Sequence, residues 1–326
     1  MELFISCDWG TTALRLRVFD SLKRLTVAEA ESIQGISATY KLWMQKGEPE
    51  IKRYFFYQSI LKEQISILKG QCNFSLDFIP FIISGMASSN IGIEELPYKK
   101  LPFGIEGHEL NVKVFDATDE FKHKMLLISG AKTLNDAMRG EETQLIGCLD
   151  EEDKEDHLIL FPGTHSKHVR VKKGQIVDIK TYMTGEFFEL LSRKSILSNH
   201  VEEPTELFQT DDMNGFKKGV EDCLQSDILH TSFLVRTNGL FGKMSKRQNY
   251  QYLSGLVIGS ELKQLINSKI PLTIVGNESL AKLYNVALQK LGLPVAGYRD
   301  AGWAVLWGHC KVFNLYKSKL NVRAHN

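Results

Sequence analysis

The sequence predicts an α/β protein built from two related halves, and three observations carry that expectation. First, a buried strand at the N-terminus, Leu3–Trp9, runs into Gly10-Thr11-Thr12 and a returning strand, Leu14–Asp20. Second, the same form recurs past the middle of the chain. Leu158-Ile159-Leu160-Phe161 enters Pro162-Gly163-Thr164, His168–Val171 leaves it, and Ile176–Ile179 returns. The repeat is weak in letters and clear in form. Third, the short apolar runs Phe78–Ile83, Met125–Ile128 and Pro271–Val275 read as buried strands.

In the first hairpin Leu14, Leu16 and Val18 alternate with Arg15 and Arg17, the pattern of a strand with one buried face. Gly10 lets the backbone approach a bulky anion. The amides of Gly10, Thr11 and Thr12, with the threonine hydroxyls, can donate to phosphate oxygens. Asp8 would repel a phosphate, but it can hold a hydrated Mg2+ that bridges to one. An ordinary hairpin with polar turn residues explains the turn equally well.

Leu25–Ala30 predicts a third strand, and Tyr54–Leu68 a helix with Phe55, Ile60, Leu61, Ile65 and Leu68 on one face. Phe78–Ile83 ends in Ser84-Gly85-Met86-Ala87-Ser88-Ser89-Asn90, a small-residue loop at the strand end where open α/β sheets bind ligands. Ser84, Ser88, Ser89 and Asn90 could donate to a polyhydroxyl or carboxylate ligand; a plain polar connection is the alternative. In Asn135–Gly147 a helix begins with Glu141 and Glu142, which the helix dipole alone would favour. Tyr182–Leu191 predicts a helix with Thr184 as N-cap, and Phe208–Leu224 and Tyr250–Ile266 two more. Pro271–Val275 leads through Gly276-Asn277 into a helix reaching Leu288, a junction whose amides suit a nucleotide. Asp300–Gly308 predicts a last, closely packed small-residue helix, and Lys311–Asn326 a basic tail that frays.

A length of 326 residues suits two domains of ordinary size, and a net charge of +1 gives no bulk attraction to nucleic acid or membranes. The five cysteines are scattered and form no CxxC pair, which points to reduced thiols and a cytoplasmic protein. No signal peptide or membrane-length apolar run is expected. His165 and His168 lack a third ligand at matching spacing and read as a turn and a strand residue. There is no GxxxxGK[ST] loop and no strand-linked GxGxxG, so a nucleotide site here must be of another kind.

Together these pieces resemble the actin-like ATPase (ribonuclease H-like) fold of sugar kinases, actin and the large heat-shock chaperones. Asp8-Trp9-Gly10-Thr11-Thr12, Gly163-Thr164 and Gly276-Asn277 stand in that family's order, although Pro162 occupies a place where an acid often sits. Over nearly the whole chain the sequence is similar to the 2-dehydro-3-deoxygalactonokinase family. The carrying segments are Asp8–Thr12, Ser84-Gly85-Met86, Met138-Arg139-Gly140-Glu141-Glu142-Thr143-Gln144, Phe161–Lys167, Met183–Glu186 and Leu253–Gly259. The loop after Met86 departs from the family, having Ile93 near a place that is more often aromatic.

The resemblance implies two actin-like domains, 1–130 and 131–326, with the nucleotide in the cleft between them. It implies ATP and Mg2+ as cofactors, and phosphorylation of the terminal hydroxyl of a small-molecule sugar acid, 2-dehydro-3-deoxy-D-galactonate. It also leaves room for a homodimer. Asp8 is then the metal ligand. Gly10, Thr11, Thr12, Gly163, Thr164 and Ser166 bind the phosphates, and Gly276 and Asn277 hold the adenosine. Ser84, Gly85, Met86, Ser88 and Arg139 face the sugar acid, with the planar fork of Arg139 suited to its carboxylate; a salt bridge from Arg139 to Glu142 or Asp136 is the alternative. Phosphoryl transfer needs a base to orient the attacking hydroxyl. Gly140-Glu141-Glu142-Thr143-Gln144-Leu145-Ile146-Gly147 superposes on the Gly-Asp-x-x-x-x-Leu-Gly pattern of related carbohydrate kinases, which makes Glu141 the base and leaves Asp136 open. A kinase for another sugar acid, or a non-catalytic ATP-binding switch, are the competing readings.

Overall fold

The computed structural model describes residues 2–150, 152, 154–205, 208–294 and 296–320. The chain packs as two compact units. One comprises residues 1–154, 173–179 and 301–326, the other residues 155–172 and 180–300. These packing units differ from the two sequence halves, 1–130 and 131–326, because residues 131–154 and the last helix pack with the N-terminal strands.

The first unit opens with β1 (Leu3–Trp9), β2 (Leu14–Asp20) and β3 (Leu25–Ser32). Next come α1 (Ile36–Lys46), α2 (Arg53–Gln71), β4 (Phe81–Gly85), and the short β5 (Lys99–Lys100) and β6 (Phe103–Gly104). The unit continues through β7 (Val112–Phe115), β8 (Met125–Ile128), β9 (Ala131–Lys132), β10 (Ala137–Met138) and α3 (Glu141–Cys148). Its main sheet runs β3-β2-β1-β4-β8-β7. β1 is antiparallel to β2 and parallel to β4, and the register sets Asp8 beside Ser84 and Trp9 beside Gly85.

The second unit holds β11 (His157–Phe161) and β12 (Ser166–Lys172). The chain passes through β13 (Gln175–Tyr182) to α4 (Thr184–Glu189), α5 (Thr210–Asp222), α6 (Ile228–Leu240) and α7 (Lys246–Leu262). β14 (Leu272–Gly276), α8 (Glu278–Lys290) and β15 (Gly297–Asp300) complete it, and α9 (Ala301–Leu320) belongs to the first unit. In the second unit β11 is antiparallel to β12 and parallel to β14, which is parallel to β15. The order β12-β11-β14-β15 therefore repeats β2-β1-β4-β8, so the two hairpins seen in the sequence each seed the same sheet pattern.

Each unit has its own apolar core. Trp9, Leu14, Tyr57, Leu61 and Phe81 are buried in the first, and Leu160, Phe216, Tyr252, Leu256 and Ile274 in the second. α3 and α9 cross at contact distance. A Cβ on Gly147 would lie 1.9 Å from the Ala304 carbonyl oxygen, and one on Gly308 would lie 2.0 Å from that of Thr143. The close packing predicted for the last helix is present.

Several expectations are corrected. β4 begins at Phe81, since Pro80 has no amide to donate and Phe78 takes a left-handed φ of 67°. Met183, not Thr184, occupies the N-cap position of α4, with no capping bond from its side chain, and the Thr184 hydroxyl donates to Glu261. The last helix runs on to Leu320, so residues 311–320 are helical, and residues 321–326 of the predicted tail lie outside the described residues. α1 and α6 had no counterpart in the sequence reading. Their apolar faces are sparse, with only Thr231 and Val235 buried in α6, although Asp227 caps it by accepting the Leu229 and His230 amides. Among the described residues no helix is long and apolar enough to cross a membrane.

Candidate active site

In the first unit three of the singled-out segments meet. Asp8 lies near the end of β1, Gly85 ends β4, and Gly140 precedes α3. Gly85 and Gly140 both take positive φ, 87° and 110°. A Cβ on Gly85 would strike the Trp9 carbonyl oxygen at 2.7 Å, and one on Gly140 would lie 3.3 Å from the Gly85 Cα. Only residues without side chains let these backbones approach so closely in that conformation.

Gly10 donates its amide to the Ala13 carbonyl at 2.9 Å, so it shapes the turn and is not free for a ligand. The Gly10 and Thr11 carbonyls accept the amides of Ile36 and Ser37 and fix the turn against the start of α1. Thr11 and Thr12 are exposed and donate no hydrogen bond to a described residue, which leaves their amides and hydroxyls available. Asp8 lies 3.8 Å from an Arg15 guanidinium nitrogen, and its side chain retains 22% exposure. Desolvation pushes its carboxyl pKa up, the charges of Arg15 and Arg17 oppose the shift, and that of Glu141 reinforces it.

The two base candidates part here. Glu141 is close enough for its charge to act on Asp8, and its Oε2 accepts the Arg139 amide at 3.0 Å. Asp136 sits in the turn between β9 and β10, where its carboxylate accepts the Ala137 amide at 3.1 Å. The adjacent Glu142 is fully buried. Both of its oxygens accept the Gly140 amide, at 2.8 and 3.0 Å, and Thr143 donates to one of them at 3.2 Å. Burial first, and then the Glu141 charge, push its pKa to about 8.

Of the sugar-acid candidates, Arg139 donates from Nη1 to the Ser88 hydroxyl at 2.6 Å and to the Ser88 carbonyl. Its guanidinium stacks 4.1 Å over the Tyr98 ring, and its buried Nε has no partner. Met86 is half-buried and packs against the core. Ser88 is buried. Ser84 is fully buried and turned away from the surface: its hydroxyl meets His309 Nε2 at 3.0 Å, while Ser6 meets Nδ1 of the same ring at 2.7 Å. Burial lowers the His309 pKa to about 3, so the ring is neutral. His309, on α9, was not among the sequence candidates.

In the second unit Gly163 and Thr164 are exposed at the β11–β12 turn. The Thr164 carbonyl accepts the Glu186 amide, and Gly185 packs so closely that a Cβ there would meet the Gly163 oxygen at 2.7 Å. His165 pairs with Glu186 at 2.5 Å. Ser166 is fully buried and bonds the Tyr284 hydroxyl at 3.0 Å, so its side chain anchors the turn from beneath. That bond belongs to a buried network centred on Glu261, whose carboxylate meets His168 at 2.8 Å, Tyr284 at 2.7 Å and the Thr184 hydroxyl.

Beside the turn is a cavity of about 390 Å³, lined among others by Gly163, Thr164, Phe188, Tyr250, Gln251 and Leu283. α8 contributes to its wall, but Gly276 and Asn277 are not part of the lining. Gly276 lies against Pro162, and Asn277 caps α8 by accepting the Leu280 amide at 2.8 Å. Tyr250, Gln251 and Ser254 were missed as site residues, although Ser254 lies within a segment that carried the resemblance. Among the described residues no three His, Cys, Asp or Glu side chains gather as a ready-made metal centre.

A family model described as 2-keto-3-deoxy-galactonokinase matches residues 8–310. The 2-dehydro-3-deoxygalactonokinase of Escherichia coli (strain K12) is 32% identical over 226 residues, which are 66% of this chain and 72% of that one. A crystal structure from Sinorhizobium meliloti, provisionally assigned as a 2-dehydro-3-deoxygalactonokinase, superposes with a TM-score of 0.80 at 27% identity, covering 99% of this chain and 98% of that one. An ADPNP-bound activator of 2-hydroxyisocaproyl-CoA dehydratase from Clostridium difficile has a TM-score of 0.50 at 10% identity, covering 99% of each chain, a likeness of fold alone. The fold is the two-domain actin-like ATPase fold of sugar kinases.

Proposed function

The chain belongs to the 2-keto-3-deoxy-galactonokinase family, kinases with an alcohol group as acceptor, and on that premise we propose that it transfers a phosphoryl group from ATP to the 6-hydroxyl of 2-dehydro-3-deoxy-D-galactonate. The observation that carries the assignment of roles is the approach of Asp8 and Glu141. Two carboxyl groups from distant parts of the chain are held where the charge of Glu141 acts on Asp8. Such a pair suits one acid that meets a cation and one that takes a proton.

Glu141 is the base that orients and deprotonates the attacking hydroxyl. The Arg139 amide on its Oε2 fixes the direction of the carboxylate. Removing a positioned base costs about 10²- to 10⁴-fold in rate. Asp8 fits a hydrated Mg2+, since its carboxylate is partly exposed and its Arg15 neighbour stays 3.8 Å away. The ion would neutralise phosphate charge. Thr11 and Thr12 present amides and hydroxyls suited to phosphate oxygens, and so do Gly163 and Thr164. The unpartnered Nε of Arg139 keeps capacity for the substrate carboxylate, while Ser88 and Tyr98 hold the guanidinium flat. The cavity beside Gly163 takes the nucleoside.

The test is coupled ADP release with Mg-ATP and 2-dehydro-3-deoxy-D-galactonate, its gluconate epimer and a sugar-free blank, on wild type and Glu141→Ala. Galactonate-dependent turnover that collapses in the variant supports both the reaction and the base. Turnover that survives the substitution moves the base to Asp136. Turnover only with a different sugar acid overturns the substrate, and ADP release indifferent to every sugar acid overturns the kinase.

A further inference from the structure

We propose that Gln251 selects adenine as the base of the phosphate donor. The inference deepens the kinase reading and rests on the nucleoside occupying the 390 Å³ cavity of the second unit. The side walls are suited to the flat faces of a base. Tyr250 and Phe188 meet edge to face with ring centroids 5.0 Å apart, and Val257, Ile258 and Leu283 supply apolar surface. Along α7, Gln251, Ser254 and Ile258 recur at helical spacing and bring one face of the helix to the cavity.

Gln251 is only 1% exposed, yet its Nε2 has no hydrogen-bond partner, and no described residue bonds to its amide group. A buried donor left unmade is expensive, and a native fold rarely keeps one without a use. Its polar neighbours on α7 each keep a bond: Arg247 donates to Asp212 at 2.9 Å and Asn249 to the Val235 carbonyl at 2.9 Å, although the Nε of the first and the Oδ1 of the second are also unpartnered. Gln251 differs from them in lining the cavity and in having no hydrogen bond from its amide to any described residue.

A primary amide offers one donor and one acceptor side by side. Adenine presents the complement along its N6/N7 edge: N7 accepts from Nε2, and the N6 amine donates to Oε1. Guanine presents two acceptors on that edge, so one contact becomes repulsive. The discrimination from one such bidentate pair is about 5- to 150-fold.

The experiment measures kcat and KM for ATP and for GTP on wild type and Gln251→Leu, with calorimetric titration of a non-hydrolysable ATP analogue into each protein without sugar. Leucine fills similar space and removes the unpaired buried amide, so the ligand-free variant should melt no lower than wild type. The expected result is a wild type that prefers ATP at least tenfold in kcat/KM. In the variant KM for ATP rises about 10- to 100-fold, kcat stays within a few-fold, and the ATP/GTP preference narrows to about threefold or less. Wild type that uses ATP and GTP equally overturns the proposal without any variant, as does a Gln251→Leu protein that keeps the wild-type KM and preference. Either result leaves the kinase standing. Wild type that binds no nucleotide overturns the kinase reading itself, and the base assignment with it.

Discussion

Glu142→Gln should remove a fall in stability of about 4 kcal/mol between pH 5 and 9. The Glu142 carboxyl is fully buried, and its pKa is pushed from 4.5 to about 8, first by burial and then by the neighbouring Glu141 charge. The Gly140 amide on both oxygens and the Arg139 charge only partly offset this. The folded state therefore holds a proton that the unfolded chain releases near pH 4.5. Stability is fully present below that value and is lost as pH rises through the folded pKa. At 1.36 kcal/mol for each pH unit between the two pKa values, the loss is about 3 kcal/mol by pH 7 and about 5 kcal/mol by pH 9. Glutamine keeps an oxygen for the Gly140 amide and cannot ionise. The stability difference between variant and wild type should then grow by about 4 kcal/mol in the variant's favour from pH 5 to pH 9. The raised pKa of Asp8 acts in the same direction, but it is common to both proteins and cancels in the comparison. The assay is urea unfolding followed by tryptophan fluorescence at pH 5, 7 and 9. Parallel curves, with a difference that changes by less than about 1 kcal/mol over that range, would refute the buried-proton argument.

His309→Ala strands the Ser6 and Ser84 hydroxyls and opens a cavity beneath the end of β1, so it should cost about 2–4 kcal/mol in the same unfolding assay. Because the wild-type pKa is lowered from 6.5 to about 3, the wild type should also lose stability as pH falls below 6.5, and the variant should lose less of it. Gly147→Ala places a Cβ 1.9 Å from the Ala304 oxygen and should destabilise by about 1–3 kcal/mol as α3 is forced off α9, read as a lower urea midpoint with an unchanged slope. Glu141→Ala should leave the unfolding free energy within about 1 kcal/mol of wild type while turnover falls about 10²- to 10⁴-fold, which separates a role in chemistry from one in folding.

What the sequence determined by itself is local. Strand, Gly-Thr turn and returning strand are written in consecutive residues, so both hairpins and the buried strand Met125–Ile128 were legible from alternation and turn chemistry. The resemblance carried by short motifs was legible for the same reason. Direction and partnership were not. Ser84 and Ser166 read as ligand donors because they stand in small-residue turns. The fold turns both inward, to a histidine 225 residues away and to a tyrosine 118 residues away. The surroundings of Glu141 are likewise tertiary. Five residues from Asp136 in sequence, it is placed where its charge acts on Asp8. His309, Glu261 and Gln251 carry no local signal, since a lone polar residue in an apolar helix looks alike whether it is solvated, paired or waiting for a ligand. Packing set their surroundings, because the partners within reach of a buried polar group depend on which distant strands and helices share a core.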